Sequence, residues 1–172
     1  MLKLIKLDQG GPAWVEDSYF DVPDEEPTPG QGDVLLSFAR FVEEGEALAA
    51  AGRKVGVRLN ADEPVEALAP HLDRVAMVAL VFPKFRDGRQ YSQATLLRMR
   101  YGYAGELRAV GDVLLEQGRF MARCGFDAFA PADGTGPEDW AGALARYRHV
   151  YQTAADRREP NFALRLQAAE GA

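Results

Sequence analysis

The sequence predicts an α/β fold: a mostly parallel sheet of about five strands with flanking helices, open or partly closed like a piece of a barrel, preceded by an N-terminal β-hairpin. Three observations predict it. Short apolar runs alternate with helix-length amphipathic segments from residue 34 onward. The run VAMVALVF at 75–82 is apolar on both faces, as a strand must be when helices cover both sides of a parallel sheet. Only about five strand–helix units can be counted, whereas a closed barrel needs eight. A chain of 172 residues with 47% hydrophobic content suits one domain with a sizeable core.

The elements follow in order. LKLIKL and AWVEDSYF, joined by the turn-forming DQGGP, read as the two strands of the hairpin. The proline-, glycine- and acid-rich DVPDEEPTPGQGD, residues 21–33, reads as a connector. Strands are then expected at VLLSF (34–38), VGVRL (55–59), VAMVALVF (75–82), LRAV (107–110) and DAFA (127–130), with helices around 39–51, 64–72, 91–101, 112–124 and 138–152. Gly52, Gly102 and Gly125 supply stops, and Asp62 with Pro64 supplies a start. The division is therefore 1–33 hairpin and acidic linker, 34–152 α/β core and 153–172 tail, the tail being irregular or loosely packed.

Composition narrows the function. Charges interrupt every apolar stretch and MLKLIKL lacks the apolar centre and cleavage site of a secretory signal, so no membrane span and a cytoplasmic location are expected. Cys124 is the single cysteine, which excludes an internal disulfide, a Cys-x-x-Cys redox pair and a thiolate cluster of the chain's own; no resident cofactor and no metal site are expected. A net charge of −6 argues against nucleic acid as a partner. No G-x-G-x-x-G follows a strand and no G-x-x-x-x-G-K-[ST] occurs. Cys124 falls at a helix C-terminus on the face that should be buried, and His71 and His149 have no catalytic partner at recognisable spacing, so all three read as structural. Trp140, Leu144, Tyr147 and Tyr151 read as a core stripe, as do Tyr91, Ala94, Leu97 and Tyr101.

The charge is unevenly spread. Residues 81–125 hold eight basic side chains against four acidic ones, a net of +4 that leaves −10 for the remainder. Lys84, Arg86 and Arg89 lie within PKFRDGRQ, directly after the central strand, where parallel sheets usually build their sites. The next strand ends in AVGD: Gly111 permits close backbone approach, Asp112 can cap a helix beginning at Val113, and that helix start adds N–H groups and partial positive charge to the same edge. Gln117 falls on the apolar stripe one turn inside this helix, and its amide must find partners there. A small oxyanion site built from Lys84, Arg86, Arg89, Gly111, Asp112 and Gln117 is expected, with Asp87, Tyr91 and Ser92 as secondary candidates. The alternative is a solvated loop whose cations pair with Asp87 and its neighbours.

Residues 82–129, through F-P-K-F-x-D-G-R-x-Y-S, Y-G-Y-x-G-E-L-R-A-V-G-D-V-L and M-x-R-C-G-F-D, resemble a bacterial family catalogued as domain of unknown function 934, with a looser likeness over 34–80. Its members are often labelled oxidoreductases of sulfite reduction. The resemblance implies a role beside assimilatory sulfite reductase, whose substrate is a small oxyanion, although no redox centre is visible in these residues. Three functions are therefore expected in order: an accessory protein that binds sulfite or sulfate; a docking subunit for sulfite reductase or an acidic carrier such as ferredoxin; or an enzyme on a sulfur-containing or phosphorylated metabolite, with Asp87 or Asp112 as its acid–base group. Catalytic residues and oligomeric state are left open.

Overall fold

A computed structural model describes residues 3–8 and 10–170. Leu2 of the expected first strand, Gln9 of the expected turn and Gly171 and Ala172 of the tail lie outside the described residues. Among the described residues the chain forms one sheet of eight strands, with six helices around it.

The strands are β1 (Lys3–Asp8), β2 (Gly11–Glu16), β3 (Tyr19–Asp21), β4 (Asp33–Ser37), β5 (Val55–Leu59), β6 (Met77–Phe82), β7 (Glu106–Gly111) and β8 (Ala128–Phe129), in the spatial order β2-β1-β8-β7-β6-β5-β4-β3. The helices are α1 (Phe38–Arg40, continuing through the π turn Phe41–Gly45 into Glu46–Ala50), α2 (Val65–Leu68, tightening into the 3-10 segment Ala69–Arg74), α3 (Arg89–Thr95 with the π turn Leu96–Arg100), α4 (Leu115–Cys124), α5 (Pro137–Ala145) and α6 (Asn161–Glu170). The α/β class and the five expected runs, β4 to β8, are present. The sheet is larger and mixed, however, because the hairpin is not a separate appendage. Its first strand pairs antiparallel with β8, aligning Lys6 with Ala128 and Ile5 with Phe129.

The expected single strand AWVEDSYF is divided, and the division shapes the molecule. Residues 11–16 pair with β1 at one edge, and residues 19–21 run parallel to β4 at the other edge. Only Asp17 and Ser18 connect them. Two residues span roughly 10 Å between flanking Cα atoms, so the two edges of an eight-stranded sheet are tethered close together and the sheet curls into a half-barrel.

Curling gives the sheet two unlike faces. The convex face carries Val34, Leu36, Val57, Leu59, Val78, Leu80, Phe82, Leu107, Ala109 and Phe129, all buried under helices and continuous with Ala94, Leu97, Met121 and Trp140. Trp140 is fully buried, its ring 4.5 Å from that of Phe129. It lies against Gly118, where a Cβ would come within 2.6 Å of the indole, so α4 and α5 approach closely only because position 118 has no side chain. The concave face carries a small apolar cluster, Leu35, Met77 and Ala79, with Tyr19 and Val110 against it.

The rest of the concave face is ionic. Sheet register aligns Arg58 with Ala79, Ala79 with Arg108, Arg108 with Ala128 and Ala128 with Lys6. Cations thus alternate with alanines across one row, and the alanines leave room for the long side chains. Arg108, 3% exposed, donates from Nη1 to Asp17 (2.7 Å) and from Nε and Nη2 to Glu106 Oε1 (3.0 and 2.8 Å). Lys6 meets the other Glu106 oxygen at 2.6 Å. Asp17 also accepts from Tyr19 N at 3.0 Å, so the short connection between the two edges is bound across the interior to β7. Burial pushes the Glu106 carboxyl up, but Lys6 and Arg108 outweigh it and leave the group below its ordinary value.

The tail differs from expectation: residues 161–170 form a helix, with Phe162 and Leu166 still largely exposed. The fifth expected helix ends at Ala145 rather than near 152. No helix among the described residues is long and apolar enough to cross a membrane.

Candidate functional site

The expected basic loop, residues 83–88, leaves the C-terminal end of β6, and its exits are fixed. Phe85 N donates to Asp112 Oδ2 (2.6 Å), and Gln117 Nε2 donates to Phe85 O (3.3 Å). Beyond the loop the fully buried Gln90 donates from Nε2 to Leu59 O (3.1 Å) and Val81 O (3.0 Å), bridging the ends of β5 and β6 beneath it. The loop is thereby held at a middle point and at its far end, and its charged side chains project from a fixed backbone.

Pro83, Lys84, Arg86, Asp87, Gly88 and Arg89 line one shallow depression of about 500 Å³. Arg89 is already engaged: its guanidinium forks onto Asp87, Nε to Oδ1 at 2.9 Å and Nη2 to Oδ2 at 2.6 Å. That contact holds the Asp87 carboxyl at about 2, well below the usual range. Lys84 and Arg86 are exposed and make no salt bridge among the described residues.

The other expected residues serve these three in different ways. Asp112 does not cap a helix at Val113: its carboxylate is turned to Phe85 N, residues 111–114 stay outside the helix, and α4 begins at Leu115. The α4 start is satisfied within the chain, Leu115 N by Asp133 Oδ2 (2.9 Å) and Leu114 N by Gln117 Oε1 (3.0 Å). Gln117 therefore uses both ends of its buried amide, one for the helix start and one for the loop. Gly111 has φ +93°, and a Cβ there would collide with the Phe82 carbonyl, to which Asp112 N also donates (2.8 Å). The close approach at Gly111 joins β7 to β6. Tyr91 stands beside Gln117, its ring between Phe82 and Phe120, and with Ser92 it lines a depression shared with Phe120 and Cys124 rather than the one that holds Lys84 and Arg86.

Much of the remaining basic excess in 81–125 is structural. Arg98 donates to Gly125 O, Tyr103 O, Gly105 O and Asp127. Arg119 donates to Leu144 O and Tyr147 O, and Arg123 to Gln152 O. Cys124 is 8% exposed, and burial raises its thiol above the ordinary value. His71 stands edge-on to Phe41, ring centres 5.8 Å apart. No group of three His, Cys, Asp or Glu side chains among the described residues could hold a metal ion.

A deeper cleft, about 700 Å³, opens on the concave side where the sheet's edges approach each other. Tyr19, Phe20, Leu35, Val110, Pro131 and Ala132 supply its walls, and Arg58, Arg108, Asp17 and Asp21 its charges. Burial first, then the nearby Glu106 and Asp33, pushes the Tyr19 phenol up to about 12, so it remains protonated at neutral pH. Sequence reading did not single out Arg58 and Arg108. Their signal was an arginine inside each of two otherwise apolar strands, VGVRL and LRAV.

A comparison with curated proteins gives no match. The family model described as "Bacterial protein of unknown function (DUF934)" matches residues 56–162, from β5 into α6, and so spans the basic loop together with Arg58 and Arg108. With well over half of its length matched, the chain belongs to the DUF934 family of bacterial proteins.

Proposed function

We propose that the protein is an accessory protein of sulfite reduction that binds sulfite, sulfate or a related small oxyanion at the rim formed by the 83–88 loop. The observation that carries this reading is the pairing pattern: Arg89 is neutralised by Asp87, whereas Lys84 and Arg86 face solvent without an ionic partner among the described residues, on a loop pinned by Asp112 and Gln117. An unpaired ammonium and a guanidinium fork on a preorganised backbone favour a small oxygen-rich anion. The sulfur-metabolism context comes from the family resemblance. Sulfite or sulfate at a hundredfold excess over its Kd should stabilise the protein by about 2.7 kcal/mol, a rise in Tm of roughly 5–11 °C at this chain length. The Lys84→Ala/Arg86→Ala protein should lose that rise while keeping its unliganded Tm. Equal wild-type Tm values with and without millimolar anion would overturn the reading.

A second reading is favoured by one side chain. Phe85 lies between the two cations and is 44% exposed, an aromatic flanked by positive charge that suits an acidic protein surface. On this reading the loop docks sulfite reductase or an acidic carrier such as ferredoxin. Co-purification with either partner should then occur at low ionic strength, disappear at high salt, and fail at both for Phe85→Ala.

A further inference from the structure

We infer that the cleft on the concave side of the sheet is a second binding site, separate from the basic loop, for a small organic carboxylate with an apolar body. The inference starts from the uneven way in which the three interior cations are satisfied. Lys6 and Arg108 share Glu106, and Arg108 also holds Asp17, all through side chains that are largely withdrawn from water except that of Lys6. Arg58 differs. Its side chain is 23% exposed, and its one ionic partner among the described residues is Asp21, bound through a single Nη1 contact and itself 61% exposed. Most of the Arg58 donor fork therefore faces the cleft without a partner among the described residues.

A lone contact to an exposed carboxylate contributes roughly 0–1 kcal/mol. A ligand carboxylate can displace Asp21 at small cost and engage two parallel donors of the guanidinium, the geometry that Arg fits best. The cleft walls fix the rest of the ligand. Leu35, Val110, Pro131 and Ala132 are apolar, and Tyr19 presents a neutral phenol at neutral pH. An inorganic oxyanion would leave these walls in contact with water, whereas an aliphatic or aromatic body would cover them. Arg108 and Asp17 form the floor, held by each other and by Glu106, so the site is built before the ligand arrives.

The test uses phenylacetate and hexanoate as probes and acetate and sulfate as controls, followed by methyl NMR of Leu35 and Val110 and by titration calorimetry on the full chain. Saturable shifts of those methyls with phenylacetate or hexanoate, at least tenfold tighter than with acetate, are expected. Arg58→Gln should weaken phenylacetate binding at least tenfold, and Lys84→Ala/Arg86→Ala should leave it unchanged, which separates this site from the anion rim. Absence of shifts in the wild type at millimolar phenylacetate and hexanoate would overturn the inference, whatever the stability of the Arg58 variant. So would phenylacetate binding that is indifferent to Arg58→Gln, or that sulfate competes away through the 83–88 loop.

Discussion

Replacing Arg108 by alanine is expected to destabilise the protein by about 3–5 kcal/mol, a fall in Tm of roughly 6–20 °C for a chain of this size. The guanidinium satisfies Asp17 and Glu106 together, inside a curled sheet where neither carboxylate has comparable access to water. Removing it strands Asp17, leaves Glu106 with Lys6 alone and frees the connection between the sheet's edges. Thermal unfolding with a near-ultraviolet signal would read the effect. A triple variant, Arg108→Met, Glu106→Gln and Asp17→Asn, removes the stranded charge as well and should lie closer to the wild type than Arg108→Met alone. A fall in Tm below about 3 °C for Arg108→Ala would show that the interior ion cluster does not hold the curl. The same cluster sets an acid dependence. Glu106 is held below the ordinary glutamate value of about 4.5 in the folded protein. Its contribution is therefore present above about pH 4.5 and is lost as the pH falls through the lower folded value. Arg108→Ala should flatten that part of the stability profile.

Replacing Gly111 by alanine is the second large effect. At φ +93° an L-residue is strained by roughly 1–2 kcal/mol, and here the added Cβ also meets the main-chain carbonyl of Phe82, which cannot rotate away as a side chain could. The last rung between β6 and β7 must shift, and with it Asp112, whose carboxylate fixes Phe85. A total loss of about 3 kcal/mol or more is expected, together with loss of any anion response at the rim. A protein with unchanged Tm would show that this rung tolerates displacement.

These two positions also mark what the sequence could and could not reveal. The runs that became β4 to β8 were legible by their apolar content, but the helix cover on both sides expected from VAMVALVF is not found among the described residues: the helices pack on the convex face, and the apolar residues of the other face form the small cluster of Leu35, Met77 and Ala79. Helix stops were legible because Gly52, Gly102 and Gly125 adopt positive φ, which other residues avoid. Gly111 was recognisable as a point of close approach, but not that its neighbour was the Phe82 carbonyl. Asp112 was read as a cap because local spacing favours the nearest helix; a loop 27 residues earlier in the chain outcompetes it. The break at Asp17 and Ser18 left only a weak local mark, a polar Asp-Ser pair whose carboxylate accepts from Tyr19 N; only pairing with distant strands assigns the two extended halves to opposite edges. The interior arginines were hidden for the same reason: an arginine in a strand declares its purpose only once the sheet is known to curl around it.

The tether between the sheet's edges also governs how the chain can acquire its structure. The contacts that complete the half-barrel join its earliest residues to late ones, Lys6 to Glu106 across 100 positions and Asp17 to Arg108 across 91. A nascent chain can assemble the middle strands as each helix emerges, yet its opening hairpin has no neighbour to pair with until β8 has been synthesised. High sequence separation of this kind slows the search for the native topology and leaves strand edges unsatisfied meanwhile. In the cell, β1 and β2 thus leave the ribosome long before β8 can secure them, and that interval is when the protein most needs protection from aggregation.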